Sequence, residues 1–216
     1  MSDQDEQIII PNREQEQKGA MIMSIFSSFN TVNSIIEHGD VASKIGLAKY
    51  ADEPILVRLA CDESERVRLA AVKRGSKKVL KQIMTFWKEE SPKVLFVVAS
   101  AWSYELKKLS RHSSPYVREG VVLGIERLGE QVTKDELEIL DRLSRDPSPD
   151  VRRAAVRACA YVAPYKIQYF MCDPEPEVRR CIVRYGTKDQ VELLKSDPSY
   201  FVRTEAYEML HAAHWN

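Results

Sequence analysis

The chain has 216 residues, of which 44% are apolar and 30% are charged, a composition typical of a folded, soluble protein. Its 32 lysines and arginines balance 32 aspartates and glutamates, which argues against a general polyanion binder. No segment approaches the roughly 18 consecutive apolar residues that a membrane helix needs, and the first residues lack the basic start and apolar core of a secretory signal.

The beginning of the chain differs in composition from the rest. Residues 1–18 are rich in Gln, Glu and Asp, which predicts a disordered polar tail. Residues 19–38 contain two apolar stretches, around residues 21–26 and 32–36. Because a terminal repeat exposes part of its core unless it is covered, we interpret residues 19–38 as a capping helical region.

From residue 39 to residue 216 a short phrase recurs. It consists of an Asp or Ser, a turn that usually contains Pro, and then Val-Arg. Copies before residues 41 and 94 are degenerate, whereas the other five are strong. The valines are spaced 26, 27, 23, 34, 27 and 24 residues apart, and they are Val41, Val67, Val94, Val117, Val151, Val178 and Val202.

Small or apolar residues follow each valine at helical spacing. After Val151 they are Ala154, Ala155 and Ala158, which lie on one face of a helix and allow a neighbouring helix to approach closely. A Pro after the Asp ends the preceding helix, and an apolar segment before each turn predicts a short partner helix. The sequence therefore predicts an all-α fold, an α-solenoid of about six to seven short repeats.

Two repeat families resemble this pattern. The Asp-Pro-x-x-x-Val-Arg phrase resembles HEAT repeats, and the 34-residue interval holds room for a full HEAT helix pair. Intervals near 24 residues, with short connectors such as residues 186–189, are similar to leucine-rich-variant repeats. The resemblance implies a mixed, right-handed solenoid and says little about function. Some leucine-rich-variant proteins carry an iron–sulfur segment, but no cysteine precedes Cys61 here, so no cofactor is expected.

The repeated arginines are the first candidates for function. Aspartates of the turns recur in register with them, which favours a structural ladder in which each arginine pairs with an aspartate of its own or the neighbouring turn. The residues of this predicted ladder are Asp62, Arg68, Asp146, Arg152, Asp173, Arg179, Asp197 and Arg203.

A second set of basic residues has no obvious partner in the repeat register. Arg153 and Arg180 directly follow ladder arginines, and Arg157, Arg184 and Lys195 are expected to lie on the same edge of the C-terminal half. We interpret these five residues as candidate binding residues, because a basic stripe at helix ends could hold phosphates.

The sequence offers little for catalysis or metal binding. We predict no catalytic residue and no metal site, since the four histidines do not form a ligand set. The four cysteines contain no CxxC pair and are interpreted as small buried residues, which suits a reducing cytoplasm.

The leading hypothesis is therefore a cytoplasmic scaffold or adaptor that binds another protein and is not an enzyme. The alternative is a solenoid that binds nucleic acid through phosphate contacts of the repeat arginines. An enzymatic reading, as a HEAT-like DNA glycosylase or a phycobilin lyase subunit, is less favoured because no matching motif occurs.

Overall fold

The structure is a computed structural model that describes residues 29–212. The predicted polar tail and the first part of the predicted capping region lie outside the described residues. Within residues 29–212 every regular element is a helix, which confirms the predicted all-α fold. None of the described helices combines the length and the apolar character needed to cross a membrane.

The chain divides into two compact units, and the first ends at Lys88. The first helix, α1 (Phe29–His38), falls within the predicted capping region and packs against α2 (Val41–Tyr50). Its role as a cap remains a prediction. Helix α5 (Lys77–Lys81) continues as a π-helical turn, Gln82–Trp87. The helices of this unit are α1 Phe29–His38, α2 Val41–Tyr50, α3 Glu53–Leu59, α4 Glu65–Arg74 and α5 Lys77–Lys81.

The second unit begins at Glu89. Two 3-10 segments, Gly129–Gln131 and Pro164–Phe170, follow its two longest helices. The helices of this unit are α6 Pro92–Trp102, α7 Leu106–Leu109, α8 Pro115–Leu128, α9 Lys134–Leu143, α10 Pro149–Val162, α11 Pro176–Tyr185, α12 Lys188–Leu194 and α13 Tyr200–His211.

The turn chemistry explains where the valine-bearing helices begin. Helices α6, α8, α10 and α11 start at a proline, which is well suited to the first helical position because its missing N–H would be unpaired there anyway. Asp146 lies three residues before Pro149, where α10 starts, and its carboxylate accepts a hydrogen bond from the Ser148 amide at 2.9 Å. Asp62, Asp173 and Asp197 do the same in their own turns.

The valine-bearing helices stack side by side: α6 packs on α8, α8 on α10, α10 on α11 and α11 on α13. Every anchoring valine from Val67 to Val202 is fully buried, whereas Val41, in the degenerate first copy, is 37% exposed. A Cβ on Gly124 would come within 2.3 Å of the Ala99 carbonyl oxygen. Close stacking of α6 and α8 therefore requires glycine at this position.

The partner helices vary in length, as the repeat spacings predict. In the 34-residue interval α9 has ten residues and starts with a capping box formed by Thr133 and Glu136. In the 24-residue interval α12 has only seven residues, and in the preceding one the 3-10 segment Pro164–Phe170 takes the place of an α-helix. The array is therefore mixed.

Candidate functional site

Three arginines of the second unit bind the aspartate of the next repeat. Nε and Nη2 of Arg152 donate to the two carboxylate oxygens of Asp173 at 2.7 and 2.9 Å. Arg179 holds Asp197 in the same way at 2.7 and 2.8 Å. These are bidentate, charge-assisted pairs, a strong kind of hydrogen bonding in proteins.

The third guanidinium nitrogen ties each arginine to its own turn. Nη1 of Arg152 donates to the carbonyl oxygen of Asp146 at 2.8 Å, and Nη1 of Arg179 donates to that of Asp173 at 2.6 Å. One arginine therefore fixes two consecutive turns. Burial by itself raises the pKa of Asp197, but the hydrogen bonds from Arg179 and the Ser199 amide outweigh it and lower that pKa.

The pairing pattern changes towards both ends of the ladder. Asp62 accepts a hydrogen bond from Nζ of Lys44 at 2.7 Å, because Ala42 occupies the arginine position of that repeat. Arg68 donates to the carbonyl oxygen of Asp62 at 3.0 Å. Arg203 donates to the carbonyl oxygen of Asp197 at 2.7 Å and binds no carboxylate among the described residues.

Sequence reasoning missed one full member of the ladder. Nε and Nη2 of Arg118 donate to Asp146 at 2.6 and 2.8 Å. The signal was present, because Arg118 follows Val117 in a strong copy of the phrase. In its own turn His112 replaces the aspartate, and its Nδ1 accepts a hydrogen bond from the Ser114 amide at 3.1 Å.

The expectation that Arg153 and Arg180 lack partners is wrong. Arg153 pairs with Asp150 at 3.0 Å, one helical turn earlier. Arg180 pairs with Glu177 at 2.9 Å in the same manner and with Glu205 of the next repeat at 2.6 Å. Residues three apart on a helix are neighbours, so the acids before the valines reach these arginines.

The remaining candidate residues separate into two groups. Arg157 pairs with Glu126 at 2.8 Å, and Arg184 is exposed and forms no ion pair with a described residue. Lys195 pairs with Glu192 on its own helix and lies 5.8 Å from the ring centroid of Tyr207. Lys195 does not line the cavity that the four candidate arginines share.

Those four arginines line one cavity of about 340 Å³ on α8, α10, α11 and α13. Four acidic residues line it with them, so its formal charge is zero. We call this cavity the charged groove, and its charged residues are Glu119, Asp150, Arg153, Arg157, Glu177, Arg180, Arg184 and Glu205.

Glu119 is the acidic residue of the groove that has no partner. It is half-buried and forms no hydrogen bond or ion pair with a described residue. Burial and the neighbouring Asp150 raise its pKa, and Arg153 and Arg157 counteract this only in part. The charged form of Glu119 is therefore poorly stabilised in the free protein.

A second, more open cavity of about 640 Å³ adjoins the charged groove and shares Arg157 with it. Ala101, Leu123 and Tyr161 contribute apolar surface there, and Tyr161 is 64% exposed. We call it the adjoining cavity. The two cavities together form a surface over the valine-bearing helices that has a charged part and an apolar part.

Among the described residues, the cysteines and histidines form no further cluster. Within residues 29–212 no three His, Cys, Asp or Glu side chains could hold a metal ion, and His214 lies outside the described residues. Cys159 is buried, which raises the pKa of its thiol to about 11. Cys172 is exposed, so the interpretation of the cysteines as small buried residues is wrong at that position.

Comparison with known proteins agrees with this fold. The HEAT repeat family matches residues 137–165. A solved structure of a leucine-rich repeat variant protein is similar, with 25% identity and a TM-score of 0.62 over 82% of this chain and 69% of that chain. No curated protein matches the chain.

Two designed armadillo repeat proteins align over nearly the whole chain but with low structural similarity. One is 20% identical with a TM-score of 0.34 and coverage of 96% of both chains. The other, solved with a (KR)4 peptide, is 19% identical with a TM-score of 0.27 and coverage of 95% of both chains. At these scores neither bears on the function of this chain.

The fold and the ladder define a repeat protein of the α-solenoid class. Its repeats are HEAT-like and leucine-rich-variant-like, which confirms the resemblance predicted from the Asp-Pro and Val-Arg phrases.

Proposed function

We propose that this chain is a non-enzymatic scaffold or adaptor that binds another protein through the charged groove and the adjoining cavity. The observation that carries the proposal is the mosaic character of this surface. Carboxylates and guanidinium groups together are spread over four stacked helices, and apolar surface with an exposed Tyr161 adjoins them. Complementary charges around aromatic side chains are typical of protein–protein recognition.

The same surface is poorly suited to nucleic acid. Phosphate binding needs cations that can exchange their counterions for phosphates, but Arg153, Arg157 and Arg180 already pair with carboxylates. Four acidic residues in the groove would also repel a phosphate backbone. The neutral charge of the groove therefore favours a protein partner.

The arginines also provide a test of the alternative. If the chain binds nucleic acid through Arg153, Arg180 and Arg184, each phosphate contact contributes about 0.9 to the slope of log affinity against log salt. Replacing all three residues with Glu would then abolish binding without loss of helix. Submicromolar binding of a plain duplex or single strand at physiological salt would contradict our preference for a protein partner over nucleic acid.

Capture from native cell extract tests the protein-binding proposal. We expect the immobilised chain to retain a protein partner after nuclease treatment, and the double variant Tyr161→Asp, Arg184→Glu to lose it. The control variant Arg111→Glu, Glu138→Lys alters exposed charges outside both cavities and should retain the partner. Equal capture by the groove variant and the control would contradict the proposal.

A further inference from the structure

The charged groove contains two charges that its own residues leave without a partner. Asp150, Glu177 and Glu205 accept ion pairs from arginines within the groove, and Arg157 pairs with Glu126. By contrast, neither Glu119 nor Arg184 forms an ion pair with any residue in the described part of the chain. The free groove therefore offers one carboxylate and one guanidinium to an occupant.

Covering these two groups would be unfavourable unless the occupant brings matching charges. Glu119 is already half-buried, and a further loss of water from an unpaired carboxylate costs free energy. A cationic side chain placed against it offsets that cost. Arg184 loses its hydration in the same way and needs an acidic partner.

We infer that the groove receives an extended segment of the partner protein, with a Lys or Arg against Glu119 and an Asp or Glu against Arg184. This inference rests on the proposed function and adds the chemistry of the bound segment. It differs from the phosphate-binding reading because it needs both signs of charge in one ligand.

The fold sets the distance between the two complementary charges. Glu119 lies on α8 and Arg184 on α11, with α10 packed between them. Packed helices lie about 8–10 Å apart, so the two axes are roughly 16–20 Å apart. An extended chain advances about 3.3 Å per residue, so the two charged residues of the segment are roughly five to six positions apart, with about four or five residues between them.

The paired arginines beside these two residues give the groove a fixed wall. Arg180 is held from two sides, by Glu177 on its own helix and by Glu205 on α13. Arg153 is held by Asp150. Side chains that are already ordered lose less conformational entropy on binding, so selectivity is expected at Glu119 and Arg184 and not along the whole groove.

Synthetic peptides test the inference on the full chain. Fluorescently labelled peptides of about 12 residues carry one Lys and one Glu in a neutral background, separated by four, five or six residues and in both orders. Matched control peptides replace the Lys with Gln, the Glu with Gln, or both. We expect at least one mixed-charge peptide to bind roughly fivefold to tenfold more tightly than its Lys→Gln or Glu→Gln partner.

Variants of the chain then assign each charge to its partner. Glu119→Gln should remove the advantage of Lys over Gln in the peptide and leave the advantage of Glu unchanged, and Arg184→Gln should do the reverse. Glu138→Gln and Arg111→Gln change the same residue types outside both cavities and should alter neither.

Two results would overturn the inference: mixed-charge peptides that bind no better than the neutral peptide, or Glu119→Gln and Arg184→Gln variants that retain both preferences. If the extract experiment still shows protein capture that depends on Tyr161 and Arg184, the proposed function stands and only the chemistry of the segment is wrong. If no protein is captured and nucleic acid binds, both fail.

Discussion

Replacing Asp197 with Asn tests whether the arginine ladder stabilises the repeats. Asp197 accepts hydrogen bonds from Nε and Nη2 of Arg179 at 2.7 and 2.8 Å and from the Ser199 amide at 2.7 Å. The side chains of Arg179 and Asp197 are only 8% and 2% exposed. Asparagine keeps an oxygen for the Ser199 amide, but it removes the negative charge and turns an N–H group towards the guanidinium.

The expected cost follows from the burial of this pair. Removing one partner of a buried ion pair typically destabilises a protein by about 3–5 kcal/mol, because the other charge stays buried without compensation. The introduced asparagine would still accept one hydrogen bond, so we expect the lower end of that range, about 3 kcal/mol. Surface ion pairs contribute only about 0–1 kcal/mol, so the measured change in unfolding free energy distinguishes a buried ion pair from a surface one.

The pH dependence gives an independent check on the same pair. The pKa of Asp197 is lowered in the folded chain, so its stabilising contribution is present above the ordinary pKa of an aspartate and is lost as the pH falls through the lowered value. The difference between wild type and Asp197→Asn should therefore shrink in acid. A difference that grows in acid would contradict the assignment.

Urea unfolding followed by far-ultraviolet circular dichroism measures the difference in stability. Because repeats can unfold in segments, amide hydrogen exchange in α11 and α13 should accompany it, and we expect faster exchange near the altered turn. Asp189→Asn, an exposed aspartate in the first turn of α12, is the matched control and should cost less than about 1 kcal/mol. A similar cost for Asp197→Asn would refute the reasoning.

Four further substitutions test the packing and the groove, two expected to destabilise the chain and two to stabilise it, and urea unfolding measures each of them. Gly124→Ala should destabilise the chain by about 2 kcal/mol, because the added Cβ meets the Ala99 carbonyl oxygen. In Gly46→Ala the added Cβ meets nothing within 4 Å, so this substitution should stabilise the chain by about 0.5–1 kcal/mol. Equal effects of the two substitutions would contradict the packing of α6 on α8. Ala155→Asp should lower the free energy of unfolding by a few kcal/mol, since Ala155 is fully buried. If the exposed control Ala42→Asp lowers it by as much, the predicted repeat register is wrong. The pKa of the Glu119 carboxyl is raised, so the folded chain loses stability as the pH rises through that pKa. Glu119→Gln should therefore stabilise the chain at neutral pH, and this stabilisation should vanish near about pH 4. A stability difference between wild type and variant that does not depend on pH would contradict this.

The fold was predictable because its determinants repeat within the sequence. A valine that is buried in every strong copy, a proline at the helix start and small residues at helical spacing all specify the same stacking of helices. Val41 is the exception, since the structure leaves its side chain 37% exposed, whereas Val94 in the other degenerate copy is fully buried. A degenerate copy of the phrase therefore predicts a helix but does not by itself determine whether its valine is buried.

The groove was only partly predictable. Glu119, Arg153 and Arg180 each lie two residues after an anchoring valine, so an alignment of the repeats places them in one row. Their pairing depends on neighbouring repeats, however. Glu205 reaches Arg180 from α13 and Glu126 reaches Arg157 from α8, at different positions of their helices. Contacts of this kind follow from side-chain conformations and not from the repeat spacing.

The repeats separate the buried residues that stabilise the stack from more exposed residues on the same helices. Ladder arginines directly after the valine, such as Arg152 and Arg179, are 11% and 8% exposed, and their buried pairs are costly to break. One residue further along the helix, Arg153 and Arg180 are 48% and 37% exposed, where pairs contribute about 0–1 kcal/mol. Residues of the groove can therefore change with little loss of stability. This separation allows the exposed positions to vary while the buried ladder keeps the helices stacked.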